Sequence, residues 1–287
     1  MFSCKNVSKP VNTSVVDSKQ VLRKDTTISN IVLMWVPKGP YKKGLYAQPD
    51  SINYDFYIGK YEVTNFQFAA FLKQAISKGI VWARGNSFYC EYAGDDLVPA
   101  GTYRIKDCDT RIDYKNGNII ADTLYNNHPV TGVTWYGAKC FCNFYGFNIP
   151  DEAEWEKAAR GNNDYWYPWG NDIDSTYANY YLSNDPFETG TTPVGYYNGQ
   201  KHGSFQTADA VSTYGCYDMA GNAWEWTRDF WAQKVPYHTG KGGGYHYHTP
   251  AFLQVYYVSC YGPSAAPALD MNDVADGFRV IYRNPDL

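Results

Sequence analysis

A chain of 287 residues with 25 basic and 29 acidic side chains carries a formal charge of −4, which offers no basic field to grip nucleic acid or an anionic lipid surface. No uninterrupted apolar run reaches the roughly 18 residues of a membrane-spanning helix, and mean hydropathy is −0.49. Aromatic residues make up 18%, with 25 Gly and 15 Pro among them; this argues against a helical bundle and for a loop-rich globule whose large flat side chains fill the core and meet ligands.

Residues 1–29 lack apolar periodicity and read as a flexible leader. Phe2-Ser3-Cys4, followed by the polar stretch from Lys5 to Ser29, has the pattern left by a bacterial lipoprotein signal, with Cys4 behind the small Ser3 as the lipidation candidate. The leader is then a tether. This places the chain on a bacterial cell surface or outside the cell, touching membrane only through its lipid anchor.

Residues 30–287 read as one domain. The run Ile31-Val32-Leu33-Met34-Trp35-Val36-Pro37 suits a buried strand, and Phe56 to Val63 gives a second strand signal. Thr64 is placed to cap a helix whose Phe68, Phe71, Leu72, Ala75 and Ile76 recur at steps of three and four, and Gly79 stops it. Residues 80–127 read as short hairpins, with a turn at Lys115-Asn116-Gly117-Asn118 and with Cys90 and Cys108 as candidates for a bridge. Thr134 opens a second helix carrying Trp135, Ala138, Cys142 and Tyr145, which Gly146 closes.

A third helix is the best signalled. Asp151 and Glu154 form a capping-box pair behind Pro150, Trp155, Ala158 and Ala159 share a face, and Gly161 ends it. Glu152, Glu154 and Glu156 are accordingly helix-start carboxylates rather than catalytic acids. Beyond Gly161 the chain is short strands and loops, so the expected class is α+β with mostly antiparallel pairing and about three helices.

The seven cysteines, at positions 4, 90, 108, 140, 142, 216 and 260, form no CxxC pair and no zinc pattern with histidine. His246 and His248, with His238 nearby, have strand spacing, but no carboxylate close in sequence completes a metal set, so they read as aromatic-polar contacts. No Ser/His/Asp motif, phosphate loop or dinucleotide fingerprint occurs.

Several strings fall in a recognisable order: Tyr61-Glu62-Val63-Thr64-Asn65, His128-Pro129-Val130-Thr131-Gly132-Val133-Thr134-Trp135, Ile149 through Gly161, Tyr167-Pro168-Trp169-Gly170-Asn171, Gly215 through Trp226, and Gly277-Phe278-Arg279-Val280. Together, over roughly residues 30–283, they resemble the formylglycine-generating-enzyme (sulfatase-modifying factor) family. The resemblance implies a C-type-lectin-like fold with added loops, a scaffold that serves oxidases, other enzymes and pure binding proteins.

The family's copper-dependent oxidases carry two cysteines five residues apart after a glycine-rich turn, soft thiolates suited to copper(I). Here that turn is Gly242-Gly243-Gly244-Tyr245. Counting forward, the cysteine positions hold Tyr247 and Phe252; counting back from Gly277 they hold Ala251 and Tyr256. Neither register supplies sulfur, and Cys260 stands alone in the segment, so neither copper nor oxidase activity is expected. The family also implies two structural calcium sites. One maps onto the side chains of Asp218 and Glu225 with the carbonyls of Gly221 and Ala223; the other maps onto the side chains of Asn179 and Asp185 with the carbonyls of Tyr180 and Phe187.

Between the turn and Gly277 the composition changes. Residues 245–276 contain no Lys, Arg, Glu or Trp. Some C-type-lectin-fold proteins are variable proteins of diversity-generating retroelements, in which asparagine codons become NNY codons that never encode Lys, Glu, Gln, Trp or Met. Only Gln254 and Met271 in the 32-residue window are of these types, whereas the chain's composition predicts about five. The candidate ligand-binding residues are Tyr245, His246, Tyr247, His248, Phe252, Tyr256, Tyr257, Cys260, Tyr261, Asp270, Asn272, Asp273 and Asp276.

The expected protein is thus a monomeric, non-catalytic, retroelement-diversified surface protein that binds a macromolecule, a protein or glycan on another cell, and no nucleic acid. At least half of its aromatic patch should be well exposed, over a fixed scaffold of Trp155, Trp224, Trp226 and Phe278. The alternatives are an enzyme of the formylglycine-generating or sulfoxide-synthase branch, or a structural lipoprotein.

Overall fold

The computed structural model describes residues 26–109, 111–188, 190–247, 249–261 and 276–283. Cys4, His248, Asp270, Asn272 and Asp273 lie outside them, as do the side chains of Cys260, Tyr261 and Asp276.

The chain opens with strands β1 (Thr26–Ile28), β2 (Ile31–Val36), β3 (Gly39–Lys43), β4 (Gln48–Ile52) and β5 (Phe56–Gly59), then helix α1 (Asn65–Ser77). Next come β6 (Val81–Arg84), β7 (Ser87–Tyr92), β8 (Gly101–Asp107), β9 (Ile112–Lys115) and β10 (Asn118–Ala121). Helices α2 (Trp135–Tyr145) and α3 (Glu152–Arg160) follow. The rest is loops with short strands β11 (Lys201–His202) and β12 (Phe205–Gln206), the long hairpin β13 (Trp224–Ala232) and β14 (Val235–Lys241), then β15 (Ser259–Tyr261), β16 (Asp276–Gly277) and β17 (Ile281–Tyr282). The described residues therefore form an α+β, loop-rich fold with three α-helices and mostly antiparallel pairing.

Local chemistry sets the helix ends. The Thr64 hydroxyl accepts from the Gln67 backbone N–H while the Gln67 side chain returns to the Thr64 N–H, a reciprocal cap. Asp151 and Glu154 do the same for α3, and the Thr134 hydroxyl accepts from the Gly137 N–H to open α2. Gly146 ends α2 in a left-handed conformation at φ 78°. The second strand stops at Gly59, short of the expected Val63. There the chain turns to bring Glu62 inward, where its carboxylate accepts from the Asn222 side chain and the Ala223 N–H at 2.9 and 3.1 Å.

Two four-stranded sheets, β1-β2-β5-β17 and β15-β14-β13-β16, carry the domain. The C-terminal strand is shared between them: β16 runs parallel to β13, and five residues on β17 pairs antiparallel with β5. Phe278, Arg279 and Val280 cross between the sheets with no exposure. On one side, Phe278 meets Phe68 and Phe141 edge-to-face at 6.2 and 5.3 Å. On the other, Trp155 packs with Val36, Phe56, Met219 and Ile281.

One sequence expectation is overturned here. Cys90 and Cys108 are not bridged; both are reduced. Cys90 lies mid-strand in β7, opposite Val81 and Tyr103, and shares a cleft with Cys140 of α2. Cys108, just past β8, faces a different cleft beside Asp109 and Asp113. Strand alternation and the packing of β7 on α2 point the two cysteines apart.

Candidate ligand-binding face

The face is built where β14 ends. Gly243 is left-handed at φ 77°, and a Cβ there would lie 3.0 Å from the Phe252 carbonyl oxygen, so the turn requires glycine. The following segment docks on the turn before β13. Gly221 donates its N–H to the Gly242 carbonyl at 2.9 Å, and Tyr245 donates to the Asn222 carbonyl at 3.1 Å. Gly221 is itself obligatory, at φ 82° with room for a Cβ only 2.3 Å from the Asn179 carbonyl oxygen.

From this anchor the rings form a layer. Tyr247 meets Phe252 at 5.0 Å between centroids, and Phe252 meets Tyr257 at 4.9 Å edge-to-face. Tyr247 and Tyr257 both rest on Trp224, at 5.4 and 6.0 Å. His246 continues the layer from Tyr247 at 4.5 Å towards Tyr245. A short 3-10 turn, Pro250–Leu253, holds Phe252 in place, and Tyr256 donates its hydroxyl to the Gln254 side chain.

Trp155, Trp224, Trp226 and Phe278 are all at most 1% exposed, and of these Trp224 lies directly against the layer. The layer itself is less open than its composition suggests. Tyr245, His246, Tyr247, Phe252, Tyr256 and Tyr257 are each half-buried, so the expectation that at least half would be well exposed fails among the described residues. The cause is mutual packing: Tyr245, His246, Tyr247, Phe252 and Tyr257 lie edge-to-face or tilted against one another, and Tyr247 and Tyr257 also against Trp224.

Fuller exposure lies on two residues that the sequence does not single out. Trp166 is 51% and Leu182 is 58% exposed. The Trp166 carbonyl accepts the Val255 N–H at 2.8 Å, and Tyr181, next to Leu182, donates its N–H to the Tyr247 carbonyl at 3.2 Å. They flank residues 245–257 through contacts spanning more than sixty residues of sequence, so no local signal marks them.

Under the layer sits a buried charge cluster. Both Glu225 oxygens accept from Arg279, at 2.5 and 2.6 Å, and one also takes the Trp155 indole N–H at 2.7 Å. Asp218 accepts the Gly195 N–H at 2.5 Å. Burial, with the nearby carboxylates, pushes the Glu62 carboxyl well above its usual range, and burial pushes Asp218 up to about 6. Glu225 is thus engaged by a bidentate guanidinium, and an ion that used its carboxylate would have to share or displace it.

The loop of Asn179 and Asp185 fits an ion better. Asp185 is buried, and among the described residues it accepts, besides the Phe187 N–H, only the neutral hydroxyls of Ser183 and Tyr197, at 2.6 and 3.2 Å, which can rotate away. The Tyr180 and Phe187 carbonyls each accept one backbone N–H and keep a second lone pair. Among the described residues no group of three or more His, Cys, Asp or Glu side chains is placed to hold a metal; this loop would rest on one carboxylate, one amide and carbonyls.

His238 is a buried ring stacked on Trp135 at 3.9 Å and on Phe230 at 4.4 Å. Glu154 accepts from Tyr54 and Arg283, and Glu156 from Arg160 and the Gly44 N–H. These helix carboxylates hold structure together.

Residues 18–284 match the family described as the Sulfatase-modifying factor enzyme 1-like domain. The chain belongs to this family. It is 32% identical to the formylglycine-generating enzyme of Thermomonospora curvata over 196 residues, covering 62% of this chain and 60% of that protein. It is 35% identical to the serine/threonine-protein kinase Pkn1 of Chlamydia trachomatis serovar L2 over 178 residues, 62% of this chain but only 23% of the kinase. The chain thus spans less than two thirds of these relatives. Among solved structures, PvdO from Pseudomonas aeruginosa and Treponema denticola variable protein 1 each superpose with a TM-score of 0.58, at 19% and 18% identity, over 91% of this chain and 99% of theirs. At that identity the likeness establishes a shared fold.

Proposed function

We propose that this member of the family is a non-catalytic surface protein that binds a macromolecular ligand, a protein or glycan on another cell, through the Tyr/His layer. The observation that carries this is the contact between Tyr247 and Phe252. Counted forward from the glycine turn, the positions where the family's oxidases hold paired thiols are these two rings, packed at 5.0 Å; counted back from Gly277 they are Ala251 and Tyr256, and the reduced cysteines of the described residues all lie elsewhere. Tyr and His present large, rigid, amphipathic area at low entropic cost, as antibody loops do, and Trp166 and Leu182 extend that area at its edges.

Depletion of the residue types that NNY codons cannot encode supports a further reading, that residues 245–276 are diversified by a retroelement. Lipidation at Cys4 would tether the monomer to the cell surface, and calcium would sit in the Asn179–Phe187 loop as a structural ion.

The identity to the Thermomonospora enzyme favours a second reading, formylglycine generation. One experiment separates them: incubation with copper, oxygen and a sulfatase-type cysteine peptide, followed by mass analysis. No aldehyde is expected, because thiolate ligation is missing; turnover that depends on Cys260 would replace the binding reading. A template repeat and a reverse-transcriptase gene beside the coding sequence would support diversification, and their absence would return the segment to an ordinary Tyr-lined loop.

A further inference from the structure

Two cysteines share a cleft where β7 packs on α2. Along β7, Cys90 and Tyr92 are two residues apart and share a face; along α2, Tyr136 and Cys140 are four apart and share a face. Tyr92 meets Tyr136 at 5.3 Å and Trp135 at 5.7 Å. One step along both elements, that same facing sets Cys90 of β7 opposite Cys140 of α2. Both line a cleft of about 190 Å³ whose walls include Ile80, Tyr92, Lys139, Asn143 and Phe144.

We propose that Cys90 and Cys140 are a redox-active dithiol that closes to a disulfide by exchange with a low-molecular-weight disulfide entering this cleft. The site is separate from the aromatic face and independent of the ligand-binding reading. Cys140, 8% exposed against 2% for Cys90, is the attacking thiol, and the Lys139 ammonium in the cleft wall favours an anionic disulfide.

The exchange balances as follows. The Cys140 thiolate attacks one sulfur of R–S–S–R, forming a mixed disulfide and releasing RS⁻. The Cys90 thiol gives its proton to that thiolate, and the Cys90 sulfur displaces the second RS⁻, which takes the proton that Cys140 lost. Two protein thiols are oxidised, and one small disulfide is reduced to two thiols. The bond would clamp the β6-β7-β8 sheet to α2 across a loop of some fifty residues.

The probe is oxidised glutathione. The full chain is equilibrated in mixtures of reduced and oxidised glutathione, alkylated, digested and read by mass. The expected result is one crosslinked peptide pair holding Cys90 and Cys140, with Cys108, Cys142 and Cys216 recovered alkylated after denaturation. The crosslinked chain should melt roughly 5 °C or more above the reduced one. Cys90→Ser should hold a single glutathione on Cys140, since no second thiol resolves it. If Cys90 and Cys140 both stay alkylatable in the most oxidising mixture, or Cys90 is recovered linked to any other cysteine, the proposal is wrong; the wild-type map decides this even if the variant fails to fold.

Discussion

Arg279 meets Glu225 through two parallel hydrogen bonds, Nε to Oε2 at 2.5 Å and Nη2 to Oε1 at 2.6 Å, with neither side chain reaching solvent. The same guanidinium caps the Gly59 and Tyr217 carbonyls, both at 2.9 Å, so one side chain ties the C-terminal crossing to β5 and to the loop before β13. It is also the positive charge in a pocket that holds Glu62, Asp218 and Glu225.

Removing one partner should therefore be costly. Arg279→Leu leaves three buried carboxylates without their guanidinium, and urea titration should show a loss of about 3–5 kcal/mol. The double change Arg279→Leu with Glu225→Leu should lose clearly less than the sum of the single changes, because it removes the stranded charge. Strict additivity would mean that the pair is not coupled.

Acid should act on two buried histidines. Burial pushes His128 and His238 down to about 4, with the Arg111 charge adding to the effect at His128. In the unfolded chain each takes a proton near 6.5, while the folded chain refuses it until about 4, so their stability contribution is present above about 6.5 and is lost as pH falls towards 4. Asp218 works the other way. Its raised pKa lets the native state take a proton first, adding stability below about 6. His238→Phe should thus lose about 2 kcal/mol less than wild type between about pH 7.5 and pH 5. Denaturant curves at both pH values check this, and equal losses would show that His238 does not titrate as its burial implies.

What was legible in the sequence was what is decided locally. The caps at Thr64, Thr134 and Asp151 and the stops at Gly146 and Gly161 are signals within one or two helical turns, and each forms. The Asn116-Gly117 turn likewise closes β9 on β10. The misreadings all concern distant partners. Cys108 is nearer to Cys90 in sequence than Cys140 is, but strand alternation and helix packing choose Cys140. Likewise, nothing within the Glu225 motif reveals that its carboxylate meets an arginine 54 residues on. Residues 245–257 announced their aromatic composition, whereas their half-burial comes from the rings packing against one another and, for Tyr247 and Tyr257, against Trp224, which composition does not encode.

Calcium removal tests the loop that still fits an ion. An ion that binds only the native state adds about 2.7 kcal/mol at a hundred times its dissociation constant. A chelator should lower the Tm of the wild-type chain. In Asp185→Ala that response should vanish, since the site's one carboxylate is gone; in Glu225→Gln it should persist on top of a lower baseline. An identical Tm with calcium and with chelator in the wild-type chain would leave Asp185 as the acceptor of the Phe187 N–H and of the Ser183 and Tyr197 hydroxyls, with no ion.

The aromatic layer should divide into two sets by what each ring touches. Tyr247 and Phe252 pack into a cluster with Tyr167, Ala178, Ala220 and Leu253, and Tyr247 rests directly on Trp224. Truncating either to Ser opens a cavity and brings a hydroxyl to an apolar site, so each change should cost about 2–4 kcal/mol. Tyr245, His246 and Tyr256 lie outside that cluster. Changed together to Ser, Asn and Ser, they should move the Tm by only a few degrees while altering which ligand the surface retains. Thermal melts of the two sets decide the matter: if the second set unfolds the domain as readily as the first, the layer is core throughout and cannot be a replaceable binding face.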